Sequence, residues 1–157
     1  MGTGTGRVGD GETGGSGRQG ERTPGSYLLL LELPEAREIE VGKLGTFAFS
    51  AGWYVYAGSA MSGIEQRVSR HLRPSAVRRW HLDYLRAFAP IREVLRFPGT
   101  ERRECELAAT LLRLPGAAVP APRFGSSDCR CRTHLVYFPV RPLLEEFSSV
   151  APVRFVR

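Results

Sequence analysis

Ser26-Tyr27-Leu28-Leu29-Leu30-Leu31-Glu32-Leu33 is a nearly unbroken apolar run carrying one tyrosine, with Gly25 before it and Pro34 after it. An apolar stretch bounded by glycine and proline reads as a strand. Trp53-Tyr54-Val55-Tyr56-Ala57, aromatic and β-branched between Gly52 and Gly58, reads as a second one. Between them Gly42, Gly45 and Gly52 punctuate a short second hairpin arm through Phe47 and Phe49. Ile91 to Phe97 and Leu135 to Val140 are two further strand candidates, and helical spacing marks Ile64 to Arg73, Arg79 to Phe88 and Glu101 to Leu114. That order of elements predicts a mixed α/β (α+β) layer, a small antiparallel sheet flanked by helices.

A chain of 157 residues, 42% hydrophobic and 24% charged, buries one core and is too short for two ordinary ones. Residues 1–24 repeat Gly with Thr, Ser, Arg and Glu and hold almost no large apolar side chain, so they read as a disordered leader. The domain is expected over residues 25–142, followed by a tail, 143–157, with enough apolar residues to dock weakly. No internal repeat is visible. No apolar run approaches the ~20 residues of a membrane span, and no signal peptide opens the chain. No membrane association is therefore expected, and a cytoplasmic location is.

Three cysteines, Cys105, Cys129 and Cys131, without a secretory signal argue against a disulfide framework, leaving metal binding or simple burial. The formal net charge is +6. Arg7, Arg18 and Arg22 in the leader are cancelled by Asp10, Glu12 and Glu21, so the excess lies in the folded part. Lys43 is the only lysine, and guanidinium forks suit bidentate phosphate contacts better than ammonium groups. A polyanionic partner fits this balance; so does an ordinary basic surface.

On a helical wheel Ile64, Val68 and Leu72 form a buried stripe with Arg67 and His71 on its edge, while Arg70 points to solvent. In the third helix Leu107, Ala108, Leu111 and Leu112 define one face with Glu104 in its middle and Glu106 nearly opposite. An ionised carboxylate on an apolar face needs an ion pair, hydrogen bonds or a metal. Alternation along the second strand puts Tyr54 and Tyr56 on one face. Taken singly, each feature has an ordinary structural reading: a solvated basic helix face, a structural salt bridge, and packing tyrosines.

Taken together, Gly25-Ser26-Tyr27, Tyr56-Ala57-Gly58, Arg67 with His71 on the next helix, and Glu104 further on resemble the GIY-YIG nuclease superfamily. Val41-Gly42-Lys43-Leu44-Gly45, Trp80-His81-Leu82-Asp83-Tyr84-Leu85, Glu104-Cys105 and Phe124-Gly125-Ser126-Ser127-Asp128-Cys129 look like its branch of unassigned function, domain of unknown function family 123. The resemblance runs from Gly25 to Phe138. It implies Tyr27 and Tyr56 on adjacent strands facing a site, Arg67 on the scissile phosphate, Glu104 holding magnesium or manganese, and His71 assisting nucleophile or leaving group. Free tyrosine, with a pKa of about 10, is only ~0.1% ionised at pH 7; a nearby guanidinium and metal would raise that fraction and let Tyr27 or Tyr56 take a proton from water.

Two features depart from the superfamily's pattern. Ser26 and Ala57 replace apolar middle residues of the two name motifs, where an effect on packing is expected, and one extra residue, near Gly63, separates Gly58 from Arg67. Arg70, Arg73, Arg78, Arg79 and Lys43 are candidates for nucleic-acid contacts. Cys105, Cys129, Cys131 and His134 form either a zinc site or a group of buried thiols, the single residue between Cys129 and Cys131 being tighter than the usual two to four or so. Trp80, Tyr84 and Phe88, at helical spacing, are expected in the core, and His81 and Asp83 near the site or paired with neighbours. The function expected is a metal-dependent endonuclease on DNA or RNA, with DNA repair as its setting. The alternatives are a nucleic-acid-binding module without catalysis and an interaction module for a DNA-repair protein, since relatives are sometimes joined to endonuclease-III-like domains.

Overall fold

The computed structural model describes residues 22–73, 75–144, 147 and 153–154. Most of the sequence-read leader, residues 1–21, and most of the tail lie outside the described residues. Thr23 and Pro24 are already tied to the domain, their carbonyls accepting the backbone N–H groups of Ile64 (2.8 Å) and Gly99 (2.9 Å).

The apolar run forms the central strand, β1 (Gly25–Leu33), of a five-stranded sheet. β2 (Arg37–Glu40) and β3 (Thr46–Phe49) make a separate hairpin around a 3-10 turn at Gly42–Leu44. The main sheet continues with β4 (Gly52–Ala60), β5 (Ile91–Pro98), β6 (Leu135–Phe138) and β7 (Val153–Arg154). Its order is β6-β4-β1-β5-β7, and all its neighbours are antiparallel. The mixed α/β class and antiparallel sheet are as expected. The tail contributes more than weak docking: Leu144 is buried and Val153–Arg154 pair with β5.

Strand alternation divides the core in two. Tyr27, Leu29 and Leu31 of β1 and Tyr54 and Tyr56 of β4 pack on one face against Ile64 and Val68 of α1 (Ile64–Leu72) and Leu82 and Leu85 of α2 (His81–Arg86). Leu28, Leu30, Val55 and Ala57 pack on the other face against Leu107, Ala108 and Leu111 of α3 (Glu104–Leu112). Gly58 stands opposite Tyr27 in the β1–β4 register, and a Cβ there would lie 2.6 Å from the tyrosine ring. Only a glycine lets that ring lie flat across the neighbouring strand.

Two helices begin later than their periodicity suggests. α2 begins at His81 because the Asp83 carboxylate accepts the backbone N–H groups of Arg79 (2.6 Å) and Trp80 (2.9 Å), as an acidic residue in the first turn of a helix does. Trp80 is therefore extended, and the expected core stripe does not form. Tyr84 packs partly against the core, Trp80 is half-buried, and Phe88 is exposed beneath the Arg37 guanidinium, 3.6 Å from its ring centre. α3 begins at Glu104 because the N–H of Arg103 is taken by the Ser26 hydroxyl at 2.8 Å. Glu104 is thus the first residue of its helix, where the dipole favours a carboxylate, and not the middle of an apolar face. Among the described residues no helix is long and apolar enough to cross a membrane.

Candidate active site

Tyr27, Tyr56, Arg67, His71 and Glu104 all line one cleft of about 400 Å³ at the end of the sheet where β1 begins and β4 ends. They arrive from four elements: Tyr27 from β1, Tyr56 from β4, Arg67 and His71 from α1, and Glu104 from α3. Alternation aims Tyr27 and Tyr56 at the α1 face, and one helical turn separates Arg67 from His71. The extra residue near Gly63 is absorbed in the turn before α1: Gly63, at φ +139°, donates its N–H to Ala60 O (3.2 Å), and Arg67 still reaches the cleft.

Ser59 joins the two charged groups. Arg67 Nη1 donates to its carbonyl at 3.3 Å, and its hydroxyl donates to Glu104 Oε1. Behind it, Ser26 Oγ lies 2.7 Å from Ser59 Oγ. Each hydroxyl has one proton, so the set resolves as a chain: the Arg103 N–H donates to Ser26, Ser26 to Ser59, and Ser59 to Glu104. Ser26, a departure from the motif expected to affect packing more than catalysis, thus reaches Glu104 through one intermediate. The sequence marked neither serine as functional, although two small hydroxyls on an apolar strand face are a usable signal.

Tyr27 and His71 form the buried polar pair of the cleft, with Tyr27 Oη 3.0 Å from His71 Nε2. Burial pushes Tyr27 up to about 12, outweighing the opposing pull of Arg67. The guanidinium favours the phenolate, as expected, but burial outweighs it and the phenol rests neutral. Burial likewise raises Tyr56. Burial lowers His71 to about 4, opposed by Asp83 and reinforced by Arg67, Arg70 and Arg86. His71 is therefore neutral at pH 7. Its Nδ1 is buried with no hydrogen-bond partner among the described residues. An orphaned lone pair costs less than an orphaned N–H, which favours the tautomer with the proton on Nε2, donated to the Tyr27 oxygen.

The nucleic-acid candidates divide. Arg70 does not point to solvent: both its terminal nitrogens reach the Asp83 carboxylate, at 3.4 and 3.2 Å, and its guanidinium lies over Trp80. Arg73 and Arg79 line a groove beside the cleft with Arg70. Arg78 donates to Ser75 O at 2.7 Å, and Lys43 sits exposed on the 3-10 turn, away from the cleft lining. His81 Nδ1 accepts the Gly125 N–H at 2.7 Å and so holds the loop that closes the cleft.

Cys105, Cys129, Cys131 and His134 converge on the far side of Glu104, their ligand atoms all within 4.8 Å of one another. The Sγ atoms of Cys129 and Cys105 lie 3.4 and 3.6 Å from His134 Nε2. Arg123, in the left-handed region at φ 69°, closes the loop bearing two of the thiols: its N–H donates to Arg132 O (2.6 Å) and its Nη1 to Cys131 O (2.9 Å). Burial and the Cys131 and Cys129 thiols push Cys105 up to about 12. A cation among them would reverse that crowding by favouring thiolates. The donor set fits a metal ion, for tetrahedral ligands about 2.3 Å from a metal stand ~3.8 Å apart. Glu104 and His134 line both this pocket and the cleft.

A family model described as "Domain of unknown function DUF123" matches residues 26–154. No curated protein and no solved structure matches the chain significantly.

Proposed function

The chain belongs to the DUF123 family, a domain of unknown function, and from the geometry of its site we propose that it is a metal-dependent endonuclease of the GIY-YIG type, hydrolysing phosphodiester bonds in DNA or RNA. The observation that carries this reading is convergence: Arg67 and Glu104, far apart in the chain, meet at Ser59 in a cleft that Tyr27, Tyr56 and His71 also line.

Ser59 occupies Glu104 Oε1, which leaves Oε2 for magnesium or manganese, hard cations that commonly take one protein carboxylate together with substrate oxygens. When bound, the metal supplies positive charge to the phosphoryl oxygens. Arg67 binds the scissile phosphate and stabilises the charge that grows on it. Tyr27 is better placed than Tyr56 to handle the proton of an attacking water, because it has a neutral imidazole at 3.0 Å. After reversal of the resting tautomer, Tyr27 takes the water's proton as its own passes to His71 Nε2. A substrate phosphate offsets the cations that depress His71 and so makes it a better acceptor. Zinc is the natural occupant of the Cys105, Cys129, Cys131 and His134 group, where it would fasten the start of α3, and hence Glu104, to the loop that closes the cleft. A cytoplasmic location and a DNA-repair protein as partner belong to the same reading.

Tyr27 at about 12 favours a second reading, a nucleic-acid-binding module without catalysis. Incubation with plasmid, single-stranded DNA and structured RNA in magnesium or manganese separates the two. Cleavage is expected, falling on the order of a hundredfold or more in Arg67→Ala and Glu104→Gln. Undiminished cleavage by both variants overturns the residue assignment; salt-dependent binding without cutting selects the binding module. Elemental analysis is expected to find one zinc per chain, lost in Cys129→Ser; a zinc-free, fully folded protein removes that assignment.

A further inference from the structure

Under the endonuclease reading Arg67 takes one phosphate, yet it is not the only cation at that spot. The indole of Trp80 carries three guanidiniums, with Arg67 4.7 Å, Arg70 5.0 Å and Arg79 5.1 Å from the ring centre. Cation–π attraction holds each of them to the ring but does nothing for their repulsion of one another. Among the described residues the one ion pair made by any of the three is that of Arg70 with Asp83, at 3.2 Å; Glu104 meets Arg67 only through Ser59 and, on the endonuclease reading, is turned to the metal. Arg67 and Arg79 are thus left without a direct ion pair among the described residues, more positive charge than a single phosphodiester neutralises.

The three arginines are also divided in space. Arg67 and Trp80 line the cleft, whereas Arg70 and Arg79 line the neighbouring groove of about 310 Å³, together with Arg73, Ser75 and Val77. The indole stands at the boundary between the two. Arg67 and Arg79 both lie within 5.1 Å of its centre, close enough for neighbouring phosphates of one strand to reach both. Asp83, buried and held by the backbone N–H groups of Arg79 and Trp80, engages both terminal nitrogens of Arg70, so Arg70 adds a fixed positive charge to the wall and leaves the direct phosphate contacts to Arg73 and Arg79. Planar forks on a preformed wall suit phosphate oxygens better than mobile ammonium groups do.

We propose that the groove lined by Arg70, Arg73 and Arg79 binds the backbone phosphate adjacent to the one held by Arg67. The substrate is then a strand that continues past the cleaved bond, and a molecule with one phosphodiester fills only half the site. This inference rests on the reading that Arg67 takes a nucleic-acid phosphate, and its test uses binding alone, without metal or cleavage.

Trp53→Phe leaves Trp80 as the single tryptophan, an indole reporter inside the site. Its fluorescence is followed while the protein is titrated with a thymidine dinucleotide, which has one phosphodiester, and a trinucleotide, which has two. The trinucleotide is expected to bind about tenfold tighter, with its log–log salt slope steeper by about 0.7 for the added phosphate. Arg79→Ala is expected to bring the trinucleotide down to the dinucleotide's affinity. Arg113→Ala, the same change in charge just beyond the far end of α3, is expected to leave the difference intact. Equal affinities in the parent protein, or a difference that survives Arg79→Ala, overturn the second phosphate site while leaving the endonuclease reading standing. Binding of neither oligonucleotide overturns both. Binding as proposed without any cleavage supports the groove and removes only the catalytic claim.

Discussion

Along β1 and β4 alternate residues face opposite sides of the sheet, and the two sides are furnished differently. On the α3 side Leu28, Leu30, Val55 and Ala57 meet Leu107, Ala108 and Leu111, an apolar interior whose polar exceptions on these strands are Ser26 and Ser59 at the cleft end and Glu32, paired with Arg92, at the other. On the α1 side the same strands present Tyr27 and Tyr56, and the helix above them supplies a buried histidine. One side is a plain core. The other is a core with titratable groups inside it. They meet at Ser59, whose hydroxyl serves Glu104 while its carbonyl serves Arg67. A site at the seam of two layers draws its acid from one and its cations from the other, so neither layer alone reveals it.

The sharpest way to break that contrast is to damage the plain side. Leu30 is fully buried there, away from the seam. Leu30→Ala is expected to cost about 2–5 kcal/mol in urea unfolding through lost transfer energy and the cavity left behind. Cleavage measured well below its melting temperature should stay within a few-fold of the parent. A loss as large as that of Arg67→Ala would mean that the two sides do not divide stability from chemistry.

The titratable side should show itself in pH. His71 is lowered from 6.5 to about 4 in the fold, so below pH 6.5 the unfolded chain binds a proton that the native one refuses. Its contribution is fully present above pH 6.5 and is lost as the pH falls toward 4, a total on the order of 3 kcal/mol. Burial lowers His81 and His134 in the same direction, so the parent protein alone does not isolate the effect. Urea midpoints at pH 7 and pH 4.5 should fall further in the parent than in His71→Gln. Parallel falls in the two proteins would show that His71 is not held neutral in the cleft.

The plain side and the alternation of β1 and β4 were legible because a strand's period is two and its neighbours in space follow from it. So were Arg67 and His71, stacked one turn apart on a helix edge. What escaped depends on partners distant in sequence. The wheel put Glu104 on an apolar face because periodicity does not say where a helix begins, and that is set by a hydrogen bond from Arg103 to Ser26 on another strand. The wheel turns Arg70 to solvent because its partner, Asp83, lies on the next helix. Aromatic spacing puts Trp80 in the core because the carboxylate that stops α2 short of it acts from inside the helix. An acid three residues after Trp80 is a known start signal for a helix, and set against the aromatic spacing it frees the indole for the site.

The smallest expected effect bears on the seam itself. Ser26→Ala removes the acceptor of the Arg103 N–H at the start of α3, and a lost cap of this kind costs about 1 kcal/mol. If Ser26 only packs, stability falls and nothing else changes. If it acts through Ser59 on Glu104, amide exchange at Arg103 and Glu104 should accelerate, the metal concentration giving half-maximal cleavage should rise, and KM for the nucleic acid should hold steady. Ser26→Thr, which keeps the hydroxyl on a strand that tolerates a β-branched residue, should recover most of both losses. Equal metal dependence in Ser26→Ala and the parent would show that Glu104 is oriented by the start of its own helix, and the α3 side would then contribute a carboxylate but no control over it.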